Sequence, residues 1–146
     1  MSRYHSTFYE LGHKDDFSAK AWKSAFSKEN EIQWDSEQSG SIQYFDDDGE
    51  QHSLIINYKQ GHGLAFSLDR YNKANFSRNR SMLSVGQPSE INSFECADSG
   101  VTVSLGSFVP FEAAWPIVEH FLCEPHNLPN CVEWIDANKL DWPEDY

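Results

Sequence analysis

Cations, cysteines and long apolar runs are all scarce in this chain, and each shortage excludes something. The 146 residues carry 11 Lys+Arg against 23 Asp+Glu, a formal net charge of −12. The imbalance is uneven: residues 1–80 come to −2, whereas after them Lys139 alone stands against the acids and the remainder comes to −10. A field of that sign repels nucleic acid and anionic membrane and speeds encounter with a basic partner. Three cysteines, Cys96, Cys123 and Cys131, are an odd number in a chain that opens MSRYHSTFYELGHKDD without an export signal. That opening implies a cytoplasmic setting with free, buried thiols and no disulfide framework. No apolar run approaches the roughly 18 residues that span a bilayer. The length suits a single domain, residues 1–146, with a core sufficient without metal or disulfide.

Catalytic signatures are also missing. There is no G-x-S-x-G elbow, no G-x-x-x-x-G-K-[ST] phosphate loop and no H-E-x-x-H pair, so no catalytic residue and no cofactor are expected. His120, Cys123, His126 and Cys131 offer zinc-binding atoms, but at a spacing that fits no ligand pattern, and a metal site is not expected there. Asp46-Asp47-Asp48-Gly49-Glu50 is contiguous, where a calcium loop alternates its acids, and reads as a turn instead.

What is present is alternation. Ser41 to Phe45 and Glu50 to Lys59 flank that Asp-Gly turn as a hairpin, with Leu54, Ile56 and Tyr58 on one face. Gln60-Gly61-His62-Gly63 reverses the chain again into Leu64, Phe66 and Leu68, so a meander is expected. Residues 70–80 read as a surface loop holding Arg70, Lys73, Arg78 and Arg80, and Ser81 to Val85 and Glu90 to Cys96 as short strands. Upstream, Asp15 or Asp16 is expected to cap an amphipathic helix to about Ser27 in which Phe17, Ala21 and Ala25 recur four apart, with Trp22 and Phe26 beside them. A brief strand centred on Trp34 is expected after it.

The stretch Ser99 to Trp134 supplies a strand with Val101, Val103 and Leu105 on one face, then a helix led by Pro110 whose stripe is Ala114, Val118, Phe121 and Leu122. Pro116 implies either a kink or a helix whose regular part begins near Ala113. Cys131 to Ile135 reads as a further strand. The fold class expected is α+β: a mostly antiparallel sheet of hairpins and meander packed against two principal helices.

The hairpins together with GSFVPFEAAWPIVEHFLCEPHNLPNCVEW, an Ala-rich helix ending in Phe-Leu, a Leu-Pro turn and a Glu-Trp strand, resemble the first-numbered immunity-protein family of bacterial polymorphic toxin systems. The resemblance runs from about Ser53 to Trp134 and leaves residues before Ser41 unmatched. It implies a small cytoplasmic α+β protein that binds the C-terminal effector domain of a cognate toxin and blocks it stoichiometrically, with no catalysis. It marks Trp134 and the Phe121-Leu122 pair as core positions.

Toxins acting on nucleic acid need a basic cleft, and an acidic surface can occupy one by imitating phosphate charge. The candidate partner-binding residues on that reading are Asp46, Asp47 and Asp48 at the hairpin tip, Glu95 and Asp98, and Asp141, Glu144 and Asp145 in the tail. Tyr71, Trp142 and Tyr146 are the aromatic anchors. Two other readings compete: a small hydrolase using a histidine such as His62 to reverse a toxin's modification, and an adaptor that pairs strands through its first forty residues.

Overall fold

The structure, a computed structural model, describes residues 3–8, 17–34, 37–96 and 101–143. Alternation produces a sheet in the order β1 (Tyr4–Ser6), β2 (Glu37–Phe45), β3 (Gln51–Lys59), β4 (Gly63–Tyr71), β5 (Arg80–Val85) and β9 (Glu133–Asp136). Every pairing is antiparallel, and β8 (Phe108–Val109) joins beside the start of β4. A separate two-stranded ribbon pairs β6 (Phe94–Cys96) with β7 (Thr102–Ser104). The fold is α+β.

Cross-strand partners share a face, so the register sorts the sheet into an inner and an outer side. Ile42 lies opposite Leu54 and Leu54 opposite Leu68, while Ile56 faces Phe66. All five are buried. Against them pack α1 (Ala19–Lys23) with Trp22, and α2 (Ala114–Cys123) with Ile117, Val118 and Phe121. Trp34 is the hub of an aromatic cage: its ring centroid lies 5.9 Å from Phe8, 5.6 Å from Phe26, 5.6 Å from Tyr58 and 5.8 Å from Phe111. Its indole N–H donates to the Ala25 carbonyl at 3.0 Å, which satisfies its one polar atom.

Several local expectations change. Ser18 caps α1, its hydroxyl accepting from the Ala21 amide, and the helix ends at Lys23 with a 3₁₀ turn over Ser24–Phe26; Asp15 and Asp16 lie outside the described residues. Trp34 closes a 3₁₀ segment, Lys28–Gln33, instead of centring a strand. Glu90 ends another 3₁₀ turn, so β6 begins only at Phe94, and Leu105 starts a 3₁₀ turn instead of extending β7. The 70–80 stretch is shorter as a loop than its lack of period suggests, because β4 continues to Tyr71 and β5 starts at Arg80. The cysteines are free but exposed, not buried.

Pro116 falls in the first turn of α2, after a 3₁₀ turn over Phe111–Ala113. There its missing N–H is no loss, since the first helical amides have no intrahelical acceptor. Phe121 is buried, and Leu122 and Trp134 pack partly buried against the core.

Candidate functional site

The β2–β3 turn is built by one carboxylate. Asp46 Oδ1 accepts from the amides of Asp48 and Glu50, both at 2.9 Å, and Gly49 closes the turn at φ 80°. This is the Asx geometry that an Asp-Gly turn favours. Asp46 therefore points inward, with its side chain only 12 % exposed, whereas Asp47 is 80 % exposed and ion-paired with Arg3. Asp48 is exposed as well.

Behind the tip lies a polar cluster, because the inward phase of β3 continues from Tyr58, Ile56 and Leu54 to His52. Glu50 is 4 % exposed. Arg78 grips it with Nε to Oε2 at 2.6 Å and Nη2 to Oε1 at 3.1 Å, and Asn72 donates to Oε2 at 3.1 Å. The paired guanidinium holds the Glu50 carboxyl down at about 2, against the opposing push of burial. His52 Nε2 sits 3.4 Å from Glu50 Oε1 and 3.3 Å from Asp46 Oδ2, and His126 Nε2 sits 3.4 Å from the same Asp46 oxygen. Burial lowers the His52 pKa despite the neighbouring Asp46. For Asp46 burial works upward, but the Glu50 amide, the His52 ring and the Asp48 amide outweigh it, and the carboxyl lies below its ordinary range.

On the outer face of the same end, Phe45, Gln51 and Tyr71 lie directly opposite one another across β2, β3 and β4. Phe45 and Tyr71 are 44 % and 49 % exposed, and Phe76, 68 % exposed, sits 6.5 Å from the Tyr71 ring. Two strand spacings separate Phe45 from Tyr71, about 10 Å. The tip thus carries exposed acids beside exposed aromatics.

The sequence-derived partner residues divide between two regions. Asp47, Asp48 and Tyr71 gather at the tip. Glu95 instead pairs with Lys59 at 2.9 Å, at the far end of β3, eight residues and roughly 25 Å away. Asp141 is exposed and its backbone amide donates to Asn92 Oδ1; Trp142 is half-buried, 4.8 Å from the Phe94 ring, and donates to the Ala137 carbonyl. Trp142 lines a groove of about 400 Å³ between the outer face and β7, with Ile55, Leu83 and Val103. It is a packed residue here, not the loose surface anchor the tail's composition suggests. Asp98, Glu144, Asp145 and Tyr146 lie outside the described residues.

Comparisons with known protein families, curated proteins and solved structures find no match to this chain. The site is therefore read from its own chemistry. His120, Cys123, His126 and Cys131 do not converge: His120 pairs with Glu124 at 3.1 Å, both cysteines are exposed, and His126 joins Asp46 and His52 instead. His52 was legible as inward-facing from its phase with Leu54 and Ile56. Its meeting with His126, and Arg78 with Glu50, had no local signal, since 74 and 28 residues separate the partners. His62 lies 5.7 Å from the Phe108 ring. Among the described residues, the shallow cleft it borders with Glu31, Gln87 and Glu112 is lined by no serine or cysteine.

Proposed function

We propose that this protein is a stoichiometric binding antidote, an immunity protein that occludes the basic substrate cleft of a cognate toxin domain. The observation that carries the reading is the pairing, at one end of the sheet, of exposed Asp47 and Asp48 with exposed Phe45, Tyr71 and Phe76. Interfaces draw specificity and encounter rate from charge and affinity from a few aromatic anchors, and this edge supplies both. The net charge of −12 adds long-range attraction toward a cationic cleft. The resemblance of about Ser53 to Trp134 to an immunity-protein family, read from the sequence alone, points the same way. On this reading Asp46 shapes the turn that presents Asp47 and Asp48, and its own oxygens are engaged inward.

The deciding experiment mixes the purified chain with the C-terminal domain of the protein encoded by the adjacent upstream reading frame. A one-to-one complex whose association slows as salt rises is expected. Tyr71→Ala combined with Phe76→Ala should weaken it about tenfold or more, chiefly through faster dissociation, while Asp47→Asn with Asp48→Asn should slow association and flatten its salt dependence. Absence of a complex, or neutralisation by substoichiometric amounts of the chain, would overturn the reading.

A further inference from the structure

We infer that Asp46, His52 and His126 form a binding site for a divalent transition-metal ion of the zinc class. The inference stands on geometry independent of the partner-binding reading. The donor atoms of the three residues all lie within 4.8 Å of one another, and they are the set among the described residues with this convergence. Two imidazole nitrogens aim at one carboxylate oxygen: His52 Nε2 at 3.3 Å and His126 Nε2 at 3.4 Å from Asp46 Oδ2. His52 Nε2 and Asp46 Oδ2 are within hydrogen-bond distance of each other, and a tetrahedral ion held about 2.0–2.1 Å from each donor spaces its donors about 3.3–3.4 Å apart. Both nitrogen–oxygen separations therefore let an ion take the place of that hydrogen bond with little movement of the side chains.

The surroundings prepare the same donors. Asp46 Oδ1 is committed to the amides of Asp48 and Glu50, which leaves Oδ2 as the oxygen presented to the two rings. Edge-on packing fixes the rings: His126 lies 4.6 Å from His52 at 68° and 5.4 Å from Tyr44 at 79°. Glu50 Oε1 also lies 3.4 Å from His52 Nε2, its charge paired with Arg78. Two nitrogens and one oxygen suit zinc, nickel or cobalt over calcium and magnesium, which require more oxygen donors. Three protein donors leave one coordination position for water or a partner's side chain. Such an ion would tie the β2–β3 turn to the segment following α2.

The test titrates the chelator-treated full chain with zinc chloride by calorimetry and records its melting temperature with and without zinc. One ion per chain is expected, with a raised melting temperature because the unfolded chain does not assemble the three donors. His126→Gln, at a half-exposed position, should retain the wild-type far-ultraviolet spectrum and bind zinc at least about tenfold more weakly. Asp46→Asn should do likewise. Cobalt(II) should give the visible absorption of a four-coordinate site in the wild type and lose it in His126→Gln. Cys123→Ser and His120→Gln should change nothing. No zinc binding by the wild type, binding unaltered by His126→Gln, or binding abolished by Cys123→Ser or His120→Gln would each overturn the assignment.

Discussion

At Glu50 a carboxylate only 4 % exposed receives two hydrogen bonds from Arg78 and one from Asn72. Folding lowers its pKa from 4.5 to about 2, so between those values the unfolded chain binds more protons than the native one. The contribution of this group to stability is therefore complete above about pH 4.5 and is lost as pH falls toward 2. Glu50→Gln should lower stability by about 1–3 kcal/mol at pH 7, and its deficit relative to wild type should shrink steadily below pH 4.5. Denaturant melts across pH 2–7 would check both the size and the sign. A deficit that grows as the solution is acidified would contradict the ion-pair account.

The elements divide into those specified locally and those held by neighbours. The β2–β3 hairpin is specified locally, through an Asx turn and a glycine at φ 80°. At the next reversal Gly63 has φ 100°, and a β-carbon there would run into the Val109 carbonyl on β8. Gly63→Ala combines an unfavourable dihedral with a backbone collision, so it should destabilise by more than the ~1 kcal/mol of ordinary glycine substitutions. Its chemical-denaturation midpoint should fall clearly below that of Gly61→Ala, where φ is 86° but no atom stands within 4 Å of the added carbon. The helix α2 depends on packing: Phe121, 1 % exposed, sets its ring edge-on against Tyr4 of β1 at 6.3 Å. Phe121→Ala should cost about 3–5 kcal/mol, read as a lowered melting temperature. By contrast α1, five residues long, is too short to persist alone and is held by Trp22.

On the scale of the whole molecule, charge governs behaviour in solution. With a sequence pI near 4.7 the repulsion between copies vanishes at mildly acid pH, and solubility should pass through a minimum there that added Asp→Asn substitutions would move upward in pH. Light scattering between pH 4 and 7 checks this. On the proposed reading, the same excess of acids would speed association with a cationic partner at low ionic strength, and the aromatic residues at the tip would set dissociation. Among the described residues no helix is long and apolar enough to cross a membrane.

The hairpins, the inward face of β3 and β4 and most of the stripe of α2 were legible in sequence because their signals are local: period two, an Asp-Gly turn, and apolar residues at i, i+4, i+7 and i+8, to which the structure adds Ile117. The short 3₁₀ segments around Trp34 and Leu105 were not, since their backbone follows from burying aromatic rings and from packing against other strands. The polar cluster was invisible for a related reason. Asp46 reads as one more exposed acid until its two turn amides rotate it inward, and His126 reads as a loop residue until the fold lays it against His52. Sequence by itself determined the antiparallel α+β architecture and the acidic surface, which depend on short-range pattern and composition. Only the tertiary structure decided which acids face solvent and which histidines meet, because those contacts join segments far apart in the chain through packing.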